Sequence, residues 1–254
     1  MNRENSPIQA KWNYSAQEGA NRSLLIKALH ECPIPDNELL MNLPLFLIRQ
    51  NLSHILFMQE IYQHIINVHG VIIEFGVRWG RNLALYESFR GIYEPFNHNR
   101  KIVGFDTFEG FPTIHQKDGS SDIIKQGAYS VTRNYEEYLE NILNIHEQES
   151  PISHIKKFEL IKGNAIASID RYLAANPQTI ISLAYFDFDI YEPTLACLNA
   201  IKAHLTKGSV LAFDELNLAD YPGETVAFKE AIGCSTYAVR HSKFSPTQSY
   251  IIIE

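Results

Sequence analysis

The sequence has little of what would tie it to a disulfide framework, a membrane or nucleic acid. Its three cysteines, Cys32, Cys197 and Cys234, are odd in number and far apart, and none is paired with a histidine at ligand spacing, so buried reduced thiols are expected rather than disulfides or zinc. No apolar run reaches the roughly 18 residues of a membrane span, and the N-terminal stretch MNRENSPIQAKWNYS lacks a signal-peptide core. A cytoplasmic protein without a membrane partner is expected. The formal charge of -7 leaves no basic face for a nucleic-acid partner. Internal repeats and low-complexity tracts are also missing. At 45% hydrophobic and 20% charged residues, the 254-residue chain has the material for one α/β domain with additions.

What is there is organised around Val71 to Asn82, VIIEFGVRWGRN. The β-branched run Val71-Ile72-Ile73 fits a strand buried on both faces, and Asn82 to Arg90 reads as a helix. Between them Gly76 and Gly80 allow a tight turn whose free N–H groups lie beyond the strand's carboxyl end, where open α/β sheets bind ligands. The third glycine of a dinucleotide fingerprint is absent, and Glu74 would repel a pyrophosphate. A cationic ligand group suits the turn better. Arg78 and Trp79 have no role that the sequence supplies.

The chain before this turn is predicted to be a helical extension, residues 1–70. Met1 to about Asn21 reads as an aperiodic arm, and Ser23 to His30 and Asn42 to Val68 as helical. Ser53 is the expected cap of the second half of that run, whose apolar face carries Ile55, Met58, Tyr62, Ile65 and Ile66. The extension can complete the core, cover the site or form an oligomer contact such as a homodimer. Residues 71–254 would form the ligand-binding domain. Its further strands are expected at Lys101–Asp106, Phe158–Ile161, Thr179–Asp187, Ser209–Asp214, Tyr237–Arg240 and Ser249–Ile253. Helices fall between most of them, at Asn134–Glu147, from about Ala165 to Ala175, at Pro193–His204 with Pro193 at its first turn, and at Glu224–Ile232. Strand and helix alternate, which implies a doubly wound, mostly parallel seven-stranded α/β sheet of Rossmann-like form. Thr107 to Thr132 has no period and is long enough to be a lid or binding loop.

Four of these strands end in acids, Glu74, Asp106, Asp187 and Asp214, and in a parallel sheet all four share one edge. With Asp189 and Glu215 they make a rim that repels itself unless it meets cations or hydrogen-bond donors. Asp106 at the end of the second strand can accept both hydroxyls of a ribose, which matches a nucleoside-bearing cofactor, and Gly163-Asn164-Ala165 can border its base. Asp187, Asp189, Asp214 and Glu215 lie on neighbouring strands about 4.8 Å apart and suit a hard divalent cation such as Mg²⁺. Helix capping by Asp189 and loop hydrogen bonds by Asp214 are the plainer readings.

EFGVRWGRN, GFDTFEGFP, DFDIYEPT and SVLAFDE, in this order and spacing, resemble the macrocin O-methyltransferase family, class I S-adenosylmethionine-dependent enzymes that methylate sugars of macrolides and related natural products. The similarity runs over nearly the whole chain. It implies that Glu74, Phe75, Gly76, Gly80 and Asn82 belong to the binding turn for S-adenosylmethionine, with Glu74 and Gly76 on its methionine part. Asp106 and Thr107 would take the ribose, and Gly163, Asn164 and Ala165 the adenine edge, with Asp187 also close to the cofactor. Asp187, Asp214 and Glu215 would correspond to the family's magnesium ligands. Related enzymes commonly have two aspartates where this chain has Asp214-Glu215, so the last ligand here reaches one methylene further. Methyl transfer to a sugar or sugar-nucleotide hydroxyl would need a base, Asp189 or His115, and with Asp187 holding the metal these three are the catalytic candidates. Other readings are a phenolic or catechol-like acceptor, a cofactor-binding module without chemistry, and a nicotinamide oxidoreductase, the last disfavoured by the missing glycine and by Glu74.

Overall fold

A computed structural model describes residues 14–254, so most of the N-terminal arm lies outside the described residues. Helices α1 (Ala16–His30), α2 (Asp36–Asn42) and α3 (Arg49–Ile65) open the chain. The arm read as aperiodic through Asn21 is thus helical from Ala16, where Ser15 and Glu18 form a capping box. The single helical run expected from Asn42 is broken by a 3-10 turn, Leu43–Phe46, carrying Pro44, whose ring cannot sit inside an α-helix. Ser53 does not cap α3; it lies one turn inside it, and Asn51 reaches back to the Ile48 N–H instead.

The remaining elements are β1 (Val71–Phe75), α4 (Arg81–Tyr93), β2 (Ile102–Asp106), α5 (Tyr135–Glu149), β3 (Phe158–Lys162), α6 (Ala165–Ala175), β4 (Ile181–Phe186), α7 (Tyr191–Ile201), β5 (Leu205–Phe213), α8 (Pro222–Ala231), β6 (Arg240–His241) and β7 (Ser249–Ile252). The strands form one seven-stranded sheet in the order β3-β2-β1-β4-β5-β7-β6. The first five are parallel, and β7 and β6 close it antiparallel. Order reverses between β1 and β4, so a crevice opens there at the carboxyl edge. β5 starts earlier than expected because Gly208, read as a helix stop, lies inside the strand at φ 88 and donates its N–H to Ile253. β6 is confined to two residues at Arg240, and α7 begins at Tyr191, two residues ahead of Pro193.

Alternation along the strands assigns the two layers. Ile72 on β1, Leu183 and Tyr185 on β4 and Val210 and Ala212 on β5 face a core built with α3, α4 and α5. Val71, Ile73 and Phe75, with Ala184, Phe186, Leu211 and Phe213, face α6, α7 and α8. Glu74 has the parity of Ile72, so its carboxyl turns to the α3 and α4 side. At the opposite edge Arg100 donates to Glu94, to Ser182 and to the carbonyls of Ile65, Val68 and Gly70. A buried guanidinium so fully paired ties the end of α3 to the starts of β1 and β4 and leaves the carboxyl edge as the place for chemistry.

Candidate active site

The turn after β1 is built by close approach. Gly76, at φ 92, faces the Asp187 carbonyl so tightly that a Cβ would overlap it, and Gly80, at φ 76, backs onto Leu139 of α5. Arg78 between them is also left-handed, at φ 49, and its N–H donates to Asp106 Oδ2 at 2.7 Å. Phe108 N–H donates to the other oxygen at 2.5 Å. Asp106 is thereby fixed at the tip of β2, with burial pushing its carboxyl up against those donors.

Beyond these strand ends lies a cavity of about 600 Å³. Gly76, Asn82, Asp106 and Thr107 form one wall, Gly163, Asn164 and Ala165 a second, and Asp187, Asp189, Asp214 and Glu215 a third. Thr107 spends its hydroxyl on the Gly110 carbonyl, and Asn164 caps α6 through the Ile166 N–H. Three turn residues from the sequence reading do not line the cavity: Glu74, Phe75 and Gly80. Phe75 points to the α6 side of the sheet. Glu74 is 1% exposed and sits under the floor, where Asn82 Nδ2 donates to its Oε1 at 2.8 Å. Burial drives its carboxyl up to about 8, against the Asn82 hydrogen bond and the Arg81 charge. It is a neutral acid near pH 7 that a nearby cation would ionise.

Asp187, Asp214 and Glu215 each offer an oxygen within 4.8 Å of the others, the one such group among the described residues. Tyr185 and Gln248 donate to Asp214 Oδ1 at 2.5 and 2.7 Å, leaving its second oxygen for the cluster. Glu215 Oε2 and Asp189 Oδ1 are buried with no partner. Burial and then the neighbouring aspartates push Asp187 well above the carboxylate range, and burial with Asp189 does the same for Glu215. An oxygen-only set with orphaned, mutually repelling carboxylates fits a hard divalent cation. Asp189 itself is held at φ 63, 5% exposed, with its carboxyl raised by burial.

The long connection after β2 packs on itself rather than standing free. Phe111 exchanges backbone hydrogen bonds with Gly127 and Ala128, and Asp118 accepts from the N–H groups of His115 and Tyr191 at 2.7 and 2.6 Å, anchoring the loop to the start of α7. His115 does not line the cavity: its Nδ1 accepts from Lys117 N–H, and its ring lies against Tyr191. It stands at the N-cap of a 3-10 turn, Gln116–Asp118. Arg78, which the sequence left without a role, lines the cavity with Tyr129, and the sequence reading missed Arg81, Tyr221 and Thr247 beside them. Arg78 lies over the Tyr129 ring at 4.8 Å, and Tyr129 and Tyr221 hydroxyls are 2.7 Å apart. Trp79 lines the same wall, edge-on to Tyr135.

Among solved structures, the chain is 42% identical to CalS11, a calicheamicin methyltransferase, over 98% of this chain and 97% of that one, with a TM-score of 0.93. An apo structure of CalS11, there described as a TDP-rhamnose 3'-O-methyltransferase of calicheamicin biosynthesis, is 40% identical over 95% and 96% of the two chains, with a TM-score of 0.84. The O-methyltransferase NovP shares the fold at 16% identity, with a TM-score of 0.56 over 77% of this chain and 78% of its own. No protein-family model and no curated protein matches the chain.

Proposed function

The chain belongs to the class I S-adenosylmethionine-dependent sugar O-methyltransferases, and from that premise we propose that it methylates a hydroxyl of a nucleoside-diphosphate deoxysugar in the cytoplasm, assisted by a divalent cation. The observation that carries the reading is one cavity with a nucleoside-type wall, Asp106 and Asn164, facing an acidic wall, Asp187, Asp189, Asp214 and Glu215. TDP-rhamnose, the acceptor named for the 40% relative, supports that class of acceptor.

S-adenosylmethionine would supply a methyl group whose sulfur leaves as a neutral thioether, and a cation held by Asp187, Asp214 and Glu215 would supply Lewis acidity that lowers a hydroxyl's pKa. The chain's own residues do the rest. Asp106 accepts the ribose hydroxyls, Gly163 to Ala165 border the adenine, and Glu74 beneath Asn82 provides negative charge for the amino-acid tail. Asp189, aimed into the cavity, takes the acceptor hydroxyl's proton. Aligning that oxygen behind the methyl contributes several kcal/mol, roughly 7–11 at most. Calorimetric titration with S-adenosylhomocysteine, followed by a screen of sugar nucleotides with labelled S-adenosylmethionine with and without Mg²⁺, tests the reading. Failure to bind S-adenosylhomocysteine overturns it, and turnover indifferent to chelators removes the metal.

The N-terminal helices support a second copy as partner. Neither α1 nor α2 buries a residue, and Leu24, Leu40, Met41 and Leu45 are 64–85% exposed. A lone 15-residue helix is marginal in water, so residues 16–48 are read as a homodimer contact. A monomeric mass by light scattering, unchanged by Met41→Asp, would reject that contact.

A further inference from the structure

The two walls of the cavity are joined underneath it. Glu74 on β1 and Asp214 past β5 both turn to the α3 and α4 side of the sheet, and a chain of buried side chains runs from one to the other. Asn82 of α4 donates through Nδ2 to Glu74 Oε1 at 2.8 Å, and its Oδ1 lies 2.6 Å from Nε2 of His54 on α3. Nδ1 of the same imidazole lies 2.8 Å from Gln248 Nε2, which is 2.7 Å from Asp214 Oδ1. His54, Asn82, Glu74 and Gln248 are all buried, at 9%, 2%, 1% and 4% exposure. Neither His54 nor Gln248 lines the cavity.

The direction of the protons in this chain follows from its Asp214 end. Gln248 presents its amide nitrogen to Asp214 Oδ1 and, at 3.1 Å, to the Tyr185 hydroxyl, and an NH₂ group facing His54 Nδ1 at 2.8 Å can only donate to it. Nδ1 is therefore bare and Nε2 carries the hydrogen, which points at Asn82 Oδ1. That contact in turn leaves Asn82 Nδ2 free to donate to Glu74. One imidazole tautomer thus sets the orientation of two amides, each of which holds an acid of the site. The other tautomer would place two N–H groups against Gln248 and two bare acceptors together at Asn82.

We propose that His54 is a positioning residue for methyl transfer, coupling the cofactor wall to the acidic cluster by aiming Asn82 at Glu74 and holding Gln248 against Asp214. The idea rests on the cavity being the S-adenosylmethionine site. It goes further in assigning a role to a helix that precedes the nucleotide-binding fold, and in predicting that a change on the Asp214 side is felt at the cofactor.

The test measures S-adenosylhomocysteine affinity by calorimetry on the full chain. His54→Phe keeps the ring volume and removes both hydrogen bonds, and the dissociation constant should rise about tenfold or more, as for other supporting partners of site residues. His54→Gln, whose amide nitrogen can occupy the Nε2 position, should recover part of that loss. Gln248→Met, which touches no cavity-lining part of the cofactor wall, should still weaken binding several-fold. In an Asn82→Leu background His54→Phe should add nothing, because both act along one path. Near-normal affinity in His54→Phe or in Gln248→Met, or additive losses in the double variant, overturns the proposal. If His54→Phe does not fold, Gln248→Met and His54→Gln decide it. Loss of binding by the unmodified chain would instead overturn the cavity reading itself.

Discussion

Replacing Glu74 by glutamine removes a titration that burial suppresses while changing little in shape, because the new side chain's amide oxygen can still accept from Asn82 Nδ2. In the folded chain the carboxyl titrates at about 8 rather than 4.5, chiefly because it is fully buried. Between those values the folded state holds a proton that the unfolded chain has lost, so stability falls as pH rises through this window and levels off above about 8. At about 1.4 kcal/mol per pH unit, the wild type has given up roughly 3 kcal/mol by pH 7. Glu74→Gln escapes that loss. It should match the wild type below pH 4.5 and exceed it by about 3 kcal/mol at pH 7, or roughly 6–12 °C in a chain of this size. Because other buried acids shift in the same direction, the quantity to read is the difference between variant and wild type in Tm from pH 4.5 to 8. S-adenosylhomocysteine binding should weaken roughly tenfold in the same variant, since the charge available to the ammonium is gone. Parallel Tm curves for the two proteins would refute the argument that burial keeps Glu74 protonated.

Three further outcomes follow from the geometry. Asp189→Asn should lower kcat about 10²–10⁴-fold with S-adenosylhomocysteine affinity little changed, because the base acts on the acceptor and not on the cofactor; a turnover within threefold of wild type would move the base elsewhere. Glu87 is 0% exposed, neither oxygen has a partner, and burial raises its carboxyl to about 8, so Glu87→Met should stabilise the chain by about 1–3 kcal/mol in chemical denaturation. Asp118→Ala removes the acceptor for the His115 and Tyr191 N–H groups. Hydrogen exchange in residues 107–134 should accelerate about tenfold or more, with a rise in acceptor KM and little change in global Tm, and an unchanged exchange map would show that the loop is held by other contacts.

Much of the fold was legible because a parallel sheet buried on both faces writes itself as short β-branched runs. VIIEF, IVGFD and SVLAFD are such runs, and each ends within a residue or two of the predicted place. Boundaries failed where a residue had two possible uses. Gly208 reads equally as a helix stop or a strand irregularity, and only its pairing with Ile253 decides between them. Ser53 has the chemistry of a cap, but Pro44 had already ended the preceding helix, which let α3 start at Arg49. The acids of the site were legible for a related reason: strand order does not matter when every parallel strand delivers its last residue to the same edge. His115 shows where that logic stops. It lies in a loop, where neither period nor parity fixes direction, and its side chain turned out to serve the loop's own turn. His54 and Gln248 were hidden differently, by distance in sequence: 194 residues separate a helix face from the residue that precedes β7, and each taken alone is an ordinary buried polar residue.

The carboxylates themselves explain why the site needs such a frame. Burial is the first cause of the upward shift at Glu74, Asp187, Asp189, Glu215 and Glu224 alike, and at each of them Asp214 adds to it through like charge. Left to relax, acids this close would turn apart toward water and the cluster would open. They are prevented from doing so by donors around the cavity and beneath it: Tyr185 and Gln248 on Asp214, Asn82 on Glu74, and the Glu215 N–H on Glu224. The cluster taken by itself is therefore a strained arrangement held by its support, and cations entering the cavity, a sulfonium, an ammonium or a divalent metal, relieve the strain instead of creating order. Attraction of these acids for the sulfonium raises affinity rather than rate, since its charge disappears on methyl transfer and only interactions stronger in the transition state accelerate the step. The same acids that destabilise the fold supply the charge that draws the cations in.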